Sequence, residues 1–112
     1  MGELASRMPV AVETDVRVGR LSASVEATAY FVVAEALTNV AKHSRAERAA
    51  VTAAIEDRTL RIRVRDDGIG GARADGSGLL GLADRVAALE GRFRVDAPPD
   101  GGTLVEAEIP LQ

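Results

Sequence analysis

Two runs of alternating apolar and polar residues, joined at Asp57-Arg58, constrain the fold of this chain most strongly. Every other residue in the second run is an arginine, so a β-strand there would have one apolar face and one guanidinium face. This pattern is typical of a hairpin in an antiparallel sheet that is covered on one face and wet on the other. The apolar positions are Val51, Ala53, Ile55, Leu60, Ile62 and Val64, and the arginines are Arg61, Arg63 and Arg65.

The arginine face has two interpretations. It is either a patch for an acidic partner or a solvated outer face, and the second is favoured because charged strand residues are usually exposed. The last strand alternates in the same way, with Glu106 and Glu108 on its polar face. If the two strands are neighbours, arginine and glutamate side chains can pair across them.

The first part of the chain has the pattern of a strand followed by a long helix. Residues 9–16 alternate as in a half-buried strand. From Val25 onward the apolar residues recur at helical spacing, and Ser22 or Ser24 can cap the N-terminus of this helix. The sequence leaves open whether residues 21–44 form one helix or two.

The last part of the chain has the pattern of a second helix and a closing hairpin. The helix follows a glycine-rich segment and ends at Gly91, and the hairpin joins residues 92–95 to residues 102–109. The apolar positions of the helix are Leu79, Leu82, Val86 and Leu89.

Length and composition describe one small domain. The chain has 112 residues, a net charge of −3 and no cysteine, so we expect no nucleic-acid partner, no disulfide framework and no cysteine metal site. No apolar run has the length of a membrane span and no signal peptide opens the sequence, so we expect a cytoplasmic domain. Residues 1–8 have the character of a tail from a preceding linker or helix, and residues 9–112 are expected to form the domain.

A polar strip interrupts the apolar pattern of the long helix. Glu35, Asn39 and His43 are four residues apart, so they project from one helix face, with Lys42 beside them. A carboxylate, an amide oxygen, an ammonium and an imidazole could hold a hydrated divalent cation and the phosphates that it carries. The alternative is a solvated helix face.

Two acids and two glycines follow the arginine strand, as Asp66-Asp67-Gly68-Ile69-Gly70. The glycines allow a flat ligand to approach the main chain closely. A buried carboxylate accepts hydrogen bonds and cannot donate them, so it would select the amino group of adenine over the carbonyl of guanine. The alternative is a tight turn built from Asp and Gly.

Three glycines precede or begin the second predicted helix: Gly76, Gly78 and Gly81. Backbone N–H groups at such a helix N-terminus can bind phosphate. The segment does not lead from a parallel strand into a βαβ unit, and it has no Gly-Lys-Ser/Thr, so it is neither a dinucleotide fingerprint nor a P-loop.

The fixed order of these three motifs resembles the GHKL ATPase superfamily of gyrase, the heat-shock chaperone, histidine kinases and mismatch-repair ATPases. The residues around these motifs are similar to those in the catalytic domain of two-component sensor histidine kinases of the nitrate-sensor and DesK-like subfamily. The similar segments are 30–43, 78–85 and 101–110, and the resemblance spans about residues 9–110. It implies an α/β fold, the two-layer Bergerat sandwich, with a mixed sheet and helices on one face.

The resemblance also implies a role for each motif residue, with ATP and Mg²⁺ as ligands. Asn39 would ligate Mg²⁺, and Glu35 would orient or deprotonate the attacking group or help to organise the waters of the metal. Asp66 would bind the adenine amino group, while no contact is assigned to Asp67. Five glycines and one leucine would shape the pocket floor and the phosphate side: Gly68, Gly70, Gly76, Gly78, Gly81 and Leu79. The phosphates would lie near Lys42 and His43.

The resemblance implies that the domain presents Mg·ATP for transfer of the γ-phosphoryl group to a histidine in separate dimerisation helices. A response regulator would act downstream, and the parent protein would be a homodimer, while this fragment would be a monomer unable to autophosphorylate. The resemblance leaves open whether the parent is anchored in the cell membrane. One alternative is a stand-alone serine kinase or binding module resembling the anti-sigma kinases, and another is a degenerate domain that binds no nucleotide. The short segment of residues 71–75 between the two glycine motifs favours the histidine kinase, because the anti-sigma relatives typically have a longer one.

Overall fold

The computed structural model describes residues 11–40, 47–68, 79–96 and 101–111. Within these ranges the chain forms seven elements in the order strand, helix, two strands, helix, two strands. The elements are β1 (Ala11–Arg17), α1 (Ala23–Asn39), β2 (Arg48–Glu56), β3 (Thr59–Asp66), α2 (Leu79–Ala88), β4 (Arg92–Asp96) and β5 (Thr103–Pro110). This order confirms the sequence prediction.

The five strands form one mixed sheet in the order β1-β2-β3-β5-β4. The β1–β2 pair is parallel and the other three pairs are antiparallel. Both helices pack on the same face of the sheet, where the alternate apolar residues of β2, β3 and β5 form the core with the buried stripe of α1. The predicted two-layer α/β sandwich is therefore confirmed.

The turn between β2 and β3 lies at the predicted residues. Asp57 and Arg58 have φ angles of 50° and 57°. Positive φ at both central residues is the geometry of the two-residue turns that match the twist of a β-hairpin. The register that follows puts Val51 opposite Val64 and Ala53 opposite Ile62, so the apolar residues of both strands share one face.

The long apolar stretch forms a single helix over its described length. Ser22 is the N-cap, and its hydroxyl accepts a hydrogen bond from the backbone N–H of Val25 at 3.3 Å. Glu26 lies in the first turn, where a negative charge is favoured by the helix dipole. The helix continues without a break to Asn39, and Val40 is its C-cap. Up to Val40, therefore, the stretch forms one helix and not two.

The strand β1 exists as predicted, but it is not half-buried. The side chains from Glu13 to Arg17 are all exposed. The reason is position, because β1 is an edge strand and the helices pack mainly over β3, β4 and β5. The alternation of apolar and polar residues therefore predicted the strand correctly, but the predicted burial of one face is wrong for residues 13–17.

The outer face of the sheet is more ordered than a solvated surface. The register places Arg61 opposite Glu108 and Arg63 opposite Glu106, as expected for neighbouring strands. Glu106 is only 5% exposed, because the guanidinium groups of Arg63 on β3 and Arg94 on β4 both bind its carboxylate. The prediction of a solvated polar face is therefore wrong at Glu106, where two cations cover the carboxylate from both sides.

Candidate functional site

Asp66 is the last residue of β3 and lies on the side of the sheet that faces the helices. Side chains alternate along a strand, so Asp66 continues the buried row of Ile62 and Val64. Its neighbours across the sheet are Ala49 on β2 and Thr103 on β5. The residue is 6% exposed, so the row of core residues ends in a buried carboxylate.

Among the described residues, few groups stabilise the charge of the Asp66 carboxylate. Its Oδ1 accepts a hydrogen bond from the backbone N–H of Gly68 at 2.8 Å. Burial raises the pKa of Asp66 above its ordinary value, and the nearby charge of Asp67 raises it further, while the N–H groups of Gly68 and Thr103 act against this. A raised pKa in a buried, partly satisfied acid makes Asp66 a candidate for a binding site.

Thr103 is the functional candidate that the sequence analysis missed. It lies opposite Asp66 in the β3–β5 register and is 3% exposed. Its buried hydroxyl has no hydrogen-bond partner among the described residues. A hydroxyl can donate and accept, so Asp66 and Thr103 together offer an acceptor and a donor to one ligand. The Gly101-Gly102-Thr103 sequence could have drawn attention to Thr103. That Thr103 lies near Asp66, however, follows only from the register of β3 and β5.

Two loops meet beside this pair. The N–H of Gly102 donates to the carbonyl oxygen of Gly68 at 2.8 Å, which joins the exit of β3 to the entry of β5. Gly102 has a φ of 83°, and a Cβ there would collide with the carbonyl oxygen of Asp66. The backbone at Asp66 is therefore packed directly against a residue that has to be glycine.

Glu35 and Asn39 lie where the sequence placed them, on one strip of α1. Both are half-buried, at the edge of the buried stripe that contains Val32, Ala36 and Leu37. The helix packs against β3, so it covers the same face of the sheet on which Asp66 lies. An amide oxygen and a carboxylate at a half-buried edge are available to a cation or its waters. The described residues contain no cluster of three or more acids or histidines that would hold a metal by itself.

The remaining predicted site residues divide between the helix α2 and segments outside the described residues. Leu79 is the first residue of α2, and Gly81 is exposed in its first turn, where a Cβ would meet none of the described residues within 4 Å. The predicted residues that lie outside the described ranges are Lys42, His43, Gly70, Gly76 and Gly78.

Asp67, to which the sequence analysis assigned no contact, makes two hydrogen bonds. Its Oδ1 accepts from the backbone N–H groups of Glu47 at 2.9 Å and Arg48 at 3.0 Å. These bonds lower the pKa of Asp67, with the N–H of Arg48 as the largest cause. Neighbouring acids thus have opposite environments: one is buried with a raised pKa, and the other is exposed and hydrogen-bonded as a carboxylate.

The raised pKa of Asp66 predicts how stability depends on pH. A folded-state pKa above the unfolded value means that the folded protein holds the proton more tightly, so the contribution of Asp66 to stability falls as pH rises through that interval. We therefore expect the free energy of unfolding of Asp66→Asn, minus that of the wild type, to increase between about pH 3 and neutrality. Urea unfolding of both proteins at several pH values measures this difference. A difference that decreases over the same range would contradict the raised pKa.

The chain matches the family described as Histidine kinase-, DNA gyrase B-, and HSP90-like ATPase over residues 24–112. Among curated relatives, it is 30% identical to the sensor histidine kinase LiaS of Bacillus subtilis over 99% of this chain and 32% of that protein. It is 30% identical to the oxygen sensor histidine kinase NreB of Staphylococcus carnosus, over 82% of this chain and 28% of that protein. It is 36% identical to the nitrate/nitrite sensor protein NarX of Escherichia coli, over 66% of this chain and 13% of that protein. The chain thus spans a third or less of these relatives.

Solved structures give the same fold. The histidine kinase domain of the blue-light activated histidine kinase from Erythrobacter litoralis superposes with a TM-score of 0.83 at 20% identity, covering 98% of this chain and 57% of that one. The histidine kinase AdeS of Acinetobacter baumannii superposes with a TM-score of 0.76 at 16% identity, covering 99% and 59%. At these identities the similarity concerns the fold. Neither described helix is long and apolar enough to cross a membrane.

Proposed function

This chain belongs to the family of histidine kinase-, DNA gyrase B- and HSP90-like ATPases, and on that premise we propose that it presents Mg·ATP for phosphoryl transfer in a sensor histidine kinase. The curated relatives described above are sensor kinases or sensors, which favours this function over the anti-sigma serine kinase. The observation that carries the proposal is the buried carboxylate of Asp66 beside the hydroxyl of Thr103, which has no hydrogen-bond partner within the described part of the chain.

Asp66 and Thr103 would bind the adenine base. The ionised carboxylate accepts a hydrogen bond from the exocyclic amino group, and the Thr103 hydroxyl is free to pair with a ring nitrogen or a bound water. Guanine has a carbonyl where adenine has its amino group, so a buried carboxylate would reject it. Burial adds selectivity because a mismatched group cannot turn to water instead.

Asn39 and Glu35 would act at the metal and the reacting phosphate. Mg²⁺ prefers oxygen ligands and is usually held by one or two side chains together with substrate phosphates, which fits a half-buried amide oxygen beside a carboxylate. Asn39 would ligate the ion, and Glu35 would orient the attacking group or the metal's waters. We propose that Lys42, His43 and the glycines Gly76, Gly78 and Gly81 bind on the phosphate side, and that Gly68 and Gly70 form the floor of the base pocket.

ATP would supply the γ-phosphoryl group, and the chain's own part in the transfer is positioning and charge neutralisation. Because the chain spans a third or less of its relatives, the acceptor histidine is proposed to lie in dimerisation helices elsewhere in a homodimeric parent protein. His43 belongs to the same sequence motif as Glu35 and Asn39 and is not the proposed acceptor. A response regulator would receive the phosphoryl group next, on the cytoplasmic side, and the fragment alone would not autophosphorylate.

Calorimetric binding of a non-hydrolysable ATP analogue tests the proposal. We expect the wild type to lose about tenfold in affinity when Mg²⁺ is removed, and Asn39→Ala to bind weakly whether or not Mg²⁺ is present. Thr38→Ala is the matched control, because Thr38 is exposed on the same helix and its hydroxyl donates to the carbonyl oxygen of Ala34 one turn earlier. If Asn39→Ala keeps the full effect of Mg²⁺, Asn39 is not the metal ligand. If the folded wild type does not bind the ATP analogue even when it is fused to dimerisation helices, the proposal of a nucleotide site is wrong.

A further inference from the structure

We propose that Asp66 and Asp67 form a pH-sensitive pair at the nucleotide site. In this pair Asp66 has to release a proton before the site binds adenine, and the charge of Asp67 makes that release more difficult. The inference rests on the proposed function, because it concerns the carboxylate that would accept the amino group of the base. The two acids are neighbours in the chain, but Asp66 is 6% exposed and Asp67 is exposed to solvent. Their contacts decide which of the two takes up the proton.

Asp67 keeps its negative charge as the pH falls. Its Oδ1 accepts hydrogen bonds from the backbone N–H groups of Glu47 at 2.9 Å and Arg48 at 3.0 Å. Both bonds favour the ionised form, and the N–H of Arg48 is the largest cause that holds the pKa of Asp67 below its ordinary value. Asp67 therefore remains a fixed negative charge beside Asp66 at pH values where Asp66 can be protonated.

Asp66 has the opposite environment, and its two carboxylate oxygens differ. Oδ1 accepts a hydrogen bond from the backbone N–H of Gly68 at 2.8 Å, so a proton taken up by the carboxyl group belongs on Oδ2. Burial is the largest cause that raises the pKa of this carboxyl group, and the charge of Asp67 raises it further, against the N–H groups of Gly68 and Thr103. Protonation thus converts the oxygen that is left for the base from an acceptor into a donor.

Within the described part of the chain, Asp67 is the group whose charge acts on this buried carboxylate. Across the sheet, β2 presents Ala49 and β5 presents Thr103, and neither side chain titrates. The helix α1 covers the same face with Glu35 at its half-buried edge, where a negative charge would act in the same direction as that of Asp67. Arg48 on β2 is a cation, but its charge acts on Asp67, whose pKa it lowers. The described surroundings therefore favour uptake of a proton by the buried carboxylate.

The proton and adenine thus compete for one oxygen atom. The exocyclic amino group of adenine needs an acceptor, whereas the protonated Oδ2 of Asp66 would meet it as donor against donor. Below the pH at which Asp66 titrates, binding of the base has to release the proton to solvent, so the affinity falls by up to about tenfold for each pH unit. Linkage is reciprocal, so adenine in turn lowers the pKa of Asp66. Removing the charge of Asp67 should move this fall in affinity to lower pH, because ionised Asp66 then has one repulsive neighbour fewer.

The test measures adenosine binding by NMR from about pH 8 down to the lowest pH at which circular dichroism shows a folded protein. Adenosine has the base but no phosphates, so neither the titration of phosphate nor Mg²⁺ affects the result. Asp67→Asn removes the charge and keeps an oxygen acceptor for the N–H groups of Glu47 and Arg48. We expect it to bind adenosine within about twofold of the wild type at the alkaline end and at least about twofold more tightly at the acidic end. Asp15→Asn removes a charge from the exposed edge strand β1 and should follow the wild type at every pH.

The carboxyl carbon signal of Asp66 gives its pKa directly and needs no variant. We expect this pKa to be lower in the adenosine complex than in the free wild type, and lower in free Asp67→Asn than in the free wild type. Where adenosine binds too weakly to saturate the site, the Mg·ATP analogue takes its place in this titration. A pKa of Asp66 that the bound ligand leaves unchanged would overturn the inference, and so would an Asp67→Asn whose pH profile matches that of the wild type. A folded wild type that binds neither ligand at neutral pH would overturn the proposed function instead.

Discussion

Asp66→Asn is expected to lose about a hundredfold or more in affinity for the ATP analogue while remaining folded. The carboxylate of Asp66 is acceptor-only, and its Oδ1 already binds the N–H of Gly68 at 2.8 Å. An asparagine that keeps this bond turns its NH₂ group toward the ligand, where it meets the amino group of adenine as donor against donor. Because the site is buried, water cannot satisfy the two donors.

Stability separates this loss of binding from loss of fold. Removing a buried charge with a raised pKa should leave the free energy of unfolding at neutral pH equal to or above that of the wild type. Asp67→Asn is the matched control, since it makes the same chemical change one residue later at an exposed position. Calorimetry and urea unfolding on the same samples measure both effects. Wild-type affinity in folded Asp66→Asn would show that Asp66 does not recognise the base.

The sequence predicted those features of the fold that depend on local pattern. The alternation of apolar and polar residues located β2 and β3, and the turn at Asp57 lies between these two alternating runs. Ser22, the N-cap of α1, was one of two candidates within three residues. Each of these features is decided by residues close to one another in the chain. The motif order then supplied the family, which the comparisons confirm.

The features that sequence did not predict depend on neighbours that are distant in the chain. Glu106 is buried because Arg63 and Arg94 come from two different strands that flank β5. Thr103 is next to Asp66 only through the β3–β5 register. Asp67 reaches residues that are 19 and 20 positions earlier. A single sequence without its strand pairing contains no direct signal for any of these contacts.

The same long-range packing makes Gly102 the most constrained position of the described backbone around the site. Gly102 has a φ of 83°, which L-residues rarely adopt, and a Cβ there would overlap the carbonyl oxygen of Asp66. That oxygen belongs to the backbone of the central sheet, so it cannot move aside as a flexible side chain would. Gly101 also has a positive φ, of 97°, but among the described residues a Cβ there would meet only the carbonyl oxygen of Gly68, at an ordinary 3.6 Å.

The two glycines thus form a matched pair that separates backbone strain from collision. We expect Gly101→Ala to lower the free energy of unfolding by about 1–3 kcal/mol, the cost of a strained φ alone. Gly102→Ala adds the collision with Asp66, so its free energy of unfolding should be lower by about a further 2 kcal/mol. In the fraction of Gly102→Ala that still folds, displacement of Asp66 should also weaken binding of the ATP analogue. Gly101→Ala should bind the analogue nearly as the wild type does. Urea unfolding and calorimetry measure both quantities, and equal losses of stability in the two variants would mean that the backbone of Asp66 yields to the added methyl group.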